Sequence, residues 1–270
     1  MNRLLVDGGV RYAVQDLNPR GKKTIVFVHG WPMSKEIFEC QYDVLPEYDI
    51  RCVSIDIRGF GDSDKPWRGY NYNQLADDLC KCMQECNLQD VTLCGFSIGG
   101  AICIRYMARH RGARVSRLAL MGAAAPSFVQ RPGFPCGMTL EQVEDLITQI
   151  YNDRPRSVFN FCKQCFATTP SPEYLQWLQG LCTQAGGWST IKCAEALRDE
   201  DLRSDLSKVR VPTCILHGVQ DRICPFPLAE AMHQGIRDSF VVPFEKSGHC
   251  LFYEERNKCN STLIDFISSR

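Results

Sequence analysis

Residues 91–110 constrain the fold more than any other stretch of this chain. Residues 91–94 form a short apolar run typical of a buried strand, and the apolar side chains from Ala101 onward recur at helical spacing. Between them lies Gly95-Phe96-Ser97-Ile98-Gly99, a G-x-S-x-G pattern. Glycines on both sides let neighbouring backbone approach a serine that is held in a strained strand-to-helix turn, which we call the elbow. The pattern therefore predicts that Ser97 projects from the end of a strand as a nucleophile.

The motif alone is weak evidence, because chance supplies it in roughly one chain in ten of this length. Its meaning depends on whether the rest of the sequence provides a base, an acid and oxyanion donors. In a parallel sheet each of these is expected at the carboxyl end of a strand, where ligands bind.

Strand-like runs alternate with helical patterns along most of the chain. Strands are predicted at residues 4–6, 11–15, 24–28, 51–56, 91–94, 115–121, 213–216 and 240–244. The first two predict an antiparallel hairpin with its turn at Asp7-Gly8-Gly9. Helices are expected at 34–45, with Ser34 as N-cap, at 73–86, and at 252–267. The alternation predicts an α/β fold with a mostly parallel eight-stranded sheet and helices on both faces.

The alternation stops between residues 125 and 206. Helical stretches at 140–151, 156–166, 173–181 and 188–197 follow one another there, separated by prolines, and the segment is rich in aromatic residues. We expect a helical cap inserted into a core formed by residues 1–124 and 207–270. Most of its aromatic side chains are expected to form the small core of the cap, under which a pocket lies.

A serine nucleophile needs a histidine base, and the sequence has five histidines. His29 and His217 each precede a glycine in a strand-end turn, where a structural hydrogen bond is expected. His110 and His233 lie in helical patterns. His249 follows the last strand in a Ser-Gly-His loop, and we predict that it is the base.

The base in turn needs a carboxylate that fixes its tautomer. Asp221 follows the next-to-last strand and completes the order serine, aspartate, histidine that accompanies this motif. Asp56 also ends a strand, but it precedes Ser97 and is expected to order the loop that follows it. The acidic residues between 199 and 205 are expected to form a solvated surface.

Two backbone amides are expected to stabilise the oxyanion of a tetrahedral intermediate. One belongs to Ile98, which follows the nucleophile and begins a helix. The other is expected in the loop His29-Gly30-Trp31-Pro32 after the strand at 24–28. Since Pro32 has no N–H, Trp31 is the predicted donor, and its side chain is expected to border the acyl pocket.

The charge balance argues against several classes of partner. Lys and Arg number 31, and so do Asp and Glu, so the sequence shows no electrostatic footprint for nucleic acid or an anionic membrane. No apolar run is long enough for a membrane span or a signal peptide, and a cytoplasmic protein is expected. Gly59 and Gly61 do not match the spacing of a phosphate-binding loop.

Sixteen cysteines raise the question of disulfides or a metal site. They are scattered through apolar patterns, where a thiol serves as a small hydrophobic group. The one C-x-x-C pair, Cys162-Lys163-Gln164-Cys165, lacks a second pair or nearby histidines. We therefore expect no metal and no cofactor.

Four segments together resemble one family of the α/β-hydrolase superfamily. His29-Gly30-Trp31-Pro32, residues 56–64, the Ser97 motif and residues 105–110 are similar to the cofactor-free haloperoxidases, arylesterases and perhydrolases. The resemblance implies hydrolysis of small carboxylic esters through an acyl-Ser97 intermediate. It also implies a perhydrolase side activity, in which a carboxylic acid and hydrogen peroxide give a peracid that oxidises halide.

The same resemblance implies that Phe128, Ile223 and Phe226 line the substrate pocket with Trp31. Cys224 and Cys250, beside the predicted acid and base, depart from the family pattern, as does the stretch 159–188. An amidase, a lactonase or a carbon–carbon bond hydrolase on the same fold stays open, and a slow receptor or binding protein is disfavoured by the complete set of catalytic groups. The sequence leaves open which ester is the substrate and whether the chain forms a homo-oligomer.

Overall fold

One eight-stranded sheet organises the chain in the computed structural model, which describes residues 2–5 and 9–269. Its strands are β1 (Asn2–Leu5), β2 (Arg11–Leu17), β3 (Lys23–Val28), β4 (Ile50–Ile55), β5 (Val91–Phe96), β6 (Val115–Met121), β7 (Thr213–Gly218) and β8 (Ser239–Phe244). They lie in the order β1-β2-β4-β3-β5-β6-β7-β8. β2 runs in the direction opposite to the other seven strands, so its pairings with β1 and β4 are antiparallel and all other pairings are parallel. The predicted mostly parallel, eight-stranded sheet is confirmed.

Burial explains why the central strands read as unbroken apolar runs. Every residue of β5 and of β7 is buried, which requires cover on both faces of the sheet. At the amino end, β1 pairs with β2 as the hairpin prediction requires, with Leu5 opposite Arg11. Residues 6–8, which include most of the predicted turn, lie outside the described residues.

Nine α-helices occur among the described residues. They are α1 (Glu39–Tyr42), α2 (Tyr72–Glu85), α3 (Ile98–Arg109), α4 (Leu140–Gln164), α5 (Pro172–Thr183), α6 (Gly187–Asp199), α7 (Pro227–Gly235), α8 (Leu251–Glu254) and α9 (Arg256–Ser268). The helix predicted at 73–86 is confirmed as α2, and the helical pattern that follows Ser97 in the sequence forms α3. The helix predicted at 252–267 is divided at Glu255, whose carboxylate accepts hydrogen bonds from Lys246 N–H and the Ser247 hydroxyl.

The single helix predicted at 34–45 is wrong. The chain forms a 3-10 turn at Lys35–Phe38, the short α1, and a second 3-10 turn at Leu45–Tyr48. Ser34 makes no side-chain capping bond. The Lys35 N–H instead donates to Asp56 Oδ1 at 2.7 Å, and the Lys35 ammonium donates to Asp56 Oδ2 at 2.9 Å. A tertiary carboxylate therefore takes the place of the local cap.

Asp56 also orders the loop after β4, as expected. Its Oδ2 accepts a hydrogen bond from Asp62 N–H at 2.9 Å, and its carbonyl accepts one from the Ser63 hydroxyl at 2.6 Å. The expectation of a solvated acidic surface at 199–205 is wrong in part. Glu200 and Asp205 are largely shielded from solvent and form ion pairs with Arg105.

Helices α4, α5 and α6 lie in sequence between β6 and β7 and pack against one another, α4 contacting both of the others. The helices predicted at 140–151 and 156–166 join into α4, which bends where Asp153 leaves the helical region with φ −153° and ψ 79°. Pro155 lies two residues further on. Because proline has no N–H to donate to the preceding turn, it accounts for the break in the helix. The bend gives α4 two differently directed halves.

The packing around the elbow motif leads to a prediction about stability. A Cβ at Gly95 would lie 2.5 Å from the Gly99 carbonyl oxygen and 2.6 Å from Gly100 Cα. These are backbone atoms, so Gly95→Ala is expected to lower the free energy of unfolding by about 1–3 kcal/mol. Gly180→Ala is the matched control, because that position in α5 has open space around it. It is expected to raise the free energy of unfolding by up to about 1 kcal/mol. Urea denaturation measures both, and equal stability of the two variants would contradict the packing argument.

Candidate active site

Ser97 lies in the turn between β5 and α3. Its backbone has φ 55° and ψ −122°, a strained conformation for a residue with a side chain. The turn is anchored because Ser97 N–H donates to Met121 O at 3.0 Å, while Ser97 O accepts from the N–H groups of Gly100 and Ala124 at 2.9 and 3.0 Å. Neighbouring backbone approaches closely, as the motif predicts, since a Cβ at Gly30 would lie 3.0 Å from Ser97 Cβ.

Asp221 and His249 form a buried hydrogen-bonded pair. His249 Nδ1 lies 2.7 Å from Asp221 Oδ2, and both side chains are wholly shielded from solvent. Asp221 Oδ1 accepts hydrogen bonds from the N–H groups of Ile223 and Cys224 at 2.8 Å each, which fixes the carboxylate. Both carboxylate oxygens are therefore engaged, and one of them holds the imidazole.

This pair lies beside the elbow. The His249 ring packs against the ring of Phe96, the residue before Ser97, with 4.7 Å between centroids. Because the Nδ1–H group donates a hydrogen bond to Asp221, Nε2 is the unprotonated ring nitrogen of the neutral imidazole. Within the described chain, Nε2 is buried and has no hydrogen-bond partner. The imidazole is thus held in the one tautomer that can accept a proton at Nε2.

The amide of Trp31 is oriented by the peptide to which it belongs. The Gly30 carbonyl accepts from Met33 N–H at 2.9 Å and from His29 Nδ1 at 2.9 Å. His29 Nε2 accepts from Ile57 N–H at 3.0 Å, so the proton of His29 is on Nδ1. In a planar trans peptide the N–H points away from its carbonyl. The Trp31 N–H is therefore directed away from these contacts.

The amide of Ile98 is oriented in the same way. The carbonyl of Ser97, which shares its peptide plane, accepts hydrogen bonds from three N–H groups on its own side, those of Gly100, Ala101 and Ala124. Among the described residues, neither the Ile98 nor the Trp31 amide donates to a backbone or side-chain acceptor. The role of His29 in orienting the Trp31 peptide was missed in the sequence, where only a structural hydrogen bond was expected. The signal for it is its position immediately before Gly30.

A cavity of about 240 Å³ opens at Ser97. Three of the residues predicted for the substrate pocket, Trp31, Phe128 and Ile223, line it. Phe226 is not among the lining residues, because its ring packs edge-on against His217 with 5.9 Å between centroids. The structure therefore places the ring of Phe226 outside the lining of this cavity.

Helix α4 contributes a wall that the sequence did not identify. Its lining residues recur at helical spacing on each side of the bend: Gln142, Asp145, Leu146, Gln149, Ser157, Asn160, Phe161 and Gln164. Phe161 contacts Trp31 edge-on at 4.9 Å, and Trp31 Nε1 donates to Thr190 O of α6 at 2.9 Å. The periodicity was visible in the sequence, but nothing local shows which face of α4 turns toward Ser97.

The other four histidines make their shortest hydrogen bonds with different partners. His217 Nε2 donates to Cys224 O at 2.7 Å, and burial lowers the pKa of His217 and of His29. His110 pairs with Asp77, and His233 lies against the Ser239 hydroxyl. His217 Nδ1 is also buried without a partner, and His217 Nε2 lies 3.7 Å from Asp221 Oδ2. Of the five histidines, His249 is the one that is hydrogen-bonded to Asp221, at 2.7 Å, and packs against Phe96 of the elbow.

The cysteines form neither disulfides nor a metal site among the described residues. All sixteen cysteines are unbridged, and burial raises the pKa of Cys52 and of Cys214 to about 12. In the part of the chain that the structure describes, no group of three or more His, Cys, Asp or Glu side chains is arranged to hold a metal ion. The two thiols of the C-x-x-C pair have different partners: Cys162 Sγ lies 3.8 Å from Cys182 Sγ, and Cys165 Sγ lies 3.4 Å from Phe161 O.

Comparison with known proteins gives the family. The model of the alpha/beta hydrolase fold matches residues 23–256. The AB hydrolase superfamily protein YisY of Bacillus subtilis (strain 168) is 47% identical over 247 residues, which cover 92% of each chain. The chain belongs to the α/β-hydrolase family.

Two solved structures are close to this α/β-hydrolase along nearly its whole length. An esterase from Exiguobacterium antarcticum has 41% identity and a TM-score of 0.96, and covers 99% of each chain. A bromoperoxidase from Bacillus anthracis has 29% identity and a TM-score of 0.92, and covers 97% of each chain. The resemblance to haloperoxidases and esterases that the motifs indicate is confirmed. Among the described residues of this α/β-hydrolase, no helix has the length and apolar character needed to cross a membrane.

Proposed function

We propose that this enzyme of the α/β-hydrolase superfamily hydrolyses small carboxylic esters through an acyl-Ser97 intermediate. The observation that carries the proposal is the buried hydrogen bond between His249 Nδ1 and Asp221, which leaves Nε2 bare beside the strained Ser97 turn. A general base for a serine hydroxyl must accept a proton at that nitrogen. The esterase from Exiguobacterium antarcticum supports the choice of esters.

Acylation follows from these positions. Ser97 Oγ attacks the ester carbonyl carbon while His249 Nε2 takes the hydroxyl proton, and the carbonyl electron pair moves onto oxygen. The resulting oxyanion accepts hydrogen bonds from the amides of Trp31 and Ile98, each of which contributes about 3 kcal/mol to stabilising the transition state. When the carbonyl re-forms, the alcohol leaves and takes the proton from His249.

Deacylation reuses the same groups. Water gives a proton to His249 Nε2, attacks acyl-Ser97 and releases the carboxylic acid as Ser97 recovers its proton. Hydrogen peroxide in place of water releases a peracid, which then oxidises halide. The similarity to a bromoperoxidase supports this side activity. The chemistry proposed for the chain needs no cofactor.

The substrate is expected to be small. We propose that residues 125–206 act as a cap over the core, since α4 supplies one wall of the cavity. Its volume of about 240 Å³ is below the roughly 300–1,000 Å³ of pockets that take drug-sized ligands. This suits a short acyl chain with part of its alcohol. Sixteen unbridged thiols suit a reducing compartment, and we propose a cytoplasmic location.

A series of p-nitrophenyl esters of increasing acyl length tests the esterase proposal. We expect the largest kcat/KM for the short acyl groups and a fall of about tenfold or more once the chain exceeds the cavity, because added methylenes then meet the walls formed by Trp31 and Phe161. Phe161→Ala is expected to move the optimum to longer chains. Absence of turnover for every ester in the series would contradict the proposal.

Bromination of monochlorodimedone tests the perhydrolase activity. We expect it to require acetate and hydrogen peroxide together, because the oxidant is a peracid made from acyl-Ser97. Ser97→Ala is expected to lose the activity. Bromination that proceeds without a carboxylic acid, or that persists in Ser97→Ala, would contradict the peracid route.

A further inference from the structure

Among the buried polar atoms that lack a hydrogen-bond partner in the described part of the chain, two belong to the candidate site: His249 Nε2 and Ser157 Oγ. The proposed mechanism accounts for the first. Ser157 lies on the second half of α4, lines the cavity with Ser97, and is 4% exposed. A buried hydroxyl without a partner costs about 1–3 kcal/mol, so its persistence calls for an explanation.

The bend of α4 explains why the chain itself does not satisfy this hydroxyl. A serine inside a helix ordinarily donates to the carbonyl four residues earlier. For Ser157 that residue is Asp153, which lies outside the helical region at the bend. Two hydroxyl groups of α6 do have partners: Thr190 Oγ1 donates to Gly186 O at 2.9 Å, and Ser189 Oγ lies 2.8 Å from the Tyr70 hydroxyl.

Ser157 lies near the acyl side of the site. Phe161, one helical turn further along α4, contacts the Trp31 ring edge-on at 4.9 Å, and the Trp31 amide is the proposed oxyanion donor. The polar lining residues closest in sequence, Asn160 and Gln164, are neutral amides, whereas Asp145 places a negative charge in the first half of the helix wall. The wall therefore suits a neutral polar group and disfavours an anionic one.

We propose that Ser157 is a specificity-determining residue that hydrogen-bonds a hydroxyl or carbonyl oxygen on the acyl chain of the substrate. The preferred substrates are then esters of short hydroxy or oxo acids in place of plain alkanoic acids. This inference rests on the proposed esterase function. A hydroxyl both donates and accepts, so either oxygen type completes the bond.

Pairs of nearly isosteric p-nitrophenyl esters test the proposal: β-hydroxybutyrate against isovalerate, and levulinate against isocaproate. In at least one pair the wild-type enzyme is expected to favour the polar ester in kcat/KM by about 10- to 100-fold. Ser157→Ala is expected to remove that preference by lowering kcat/KM for the polar ester, and to leave the alkyl ester within about twofold. Folding is expected to survive, because the substitution removes a hydroxyl with no partner.

Ser34→Ala is the matched control, since Ser34 Oγ is also buried and unpartnered but Ser34 does not line the cavity. It is expected to change neither ester of a pair. The proposal is overturned when wild type hydrolyses both pairs without preference, or when Ser157→Ala lowers both members of a pair equally. Failure to hydrolyse any of the four esters overturns the esterase function itself, and with it this inference.

Discussion

Ser97→Ala is expected to lower kcat for p-nitrophenyl acetate by about four to six orders of magnitude. The variant keeps the proposed oxyanion donors and the cavity but has no oxygen at residue 97 that can form the acyl intermediate. The residual rate is that of water attacking a bound and polarised ester. Stopped assays at high enzyme concentration measure it against the uncatalysed rate.

Ser116→Ala is a suitable control for this experiment. Ser116 lies on β6, and its hydroxyl donates only to Val91 O at 3.4 Å. It is expected to keep kcat within about twofold of wild type, as substitutions away from the site usually do. Undiminished turnover by Ser97→Ala would remove Ser97 from the mechanism.

His249→Ala is expected to cause a loss of similar size, about four to six orders of magnitude in kcat. Without the imidazole, no base takes the proton of the Ser97 hydroxyl during acylation or that of the attacking water during deacylation. Hydrolysis of p-nitrophenyl acetate under single-turnover conditions measures the acylation step on its own.

His233→Ala is the matched histidine control. Its imidazole is exposed and lies 2.9 Å from the Ser239 hydroxyl, at the end of α7. We expect activity close to wild type. A loss in His233→Ala comparable to that in His249→Ala would mean that the assay reports folding and not base catalysis.

Much of the site could be predicted because its parts depend on local patterns. The run of buried strand, glycine-flanked serine and helix appears in the structure as β5, the Ser97 turn and α3. Asp221 and His249 follow neighbouring strands of a parallel sheet, so their carboxyl ends bring the two side chains within 2.7 Å. Local sequence and sheet topology together suffice for such groups.

The remaining features depend on contacts that no local pattern contains. In place of the helix predicted from Ser34, the chain forms two 3-10 turns and the short α1, because the carboxylate of Asp56, more than twenty residues away, accepts a hydrogen bond from the Lys35 amide. Glu200 and Asp205 lie in a charged run that predicts a solvated surface, but in the structure both form ion pairs with Arg105 of α3. The cavity wall of α4 depends on how the bend at Asp153 directs its second half.

The most direct test of the proposed mechanism is the identity of the acylated residue. Wild-type enzyme mixed with excess p-nitrophenyl acetate is quenched in acid within the first turnovers, digested, and analysed by mass spectrometry. The proposed mechanism predicts one acetyl group, on the peptide that contains Ser97, and none in Ser97→Ala. Acetylation of another residue such as Cys224 at the rate of turnover, with Ser97 unmodified, would contradict it.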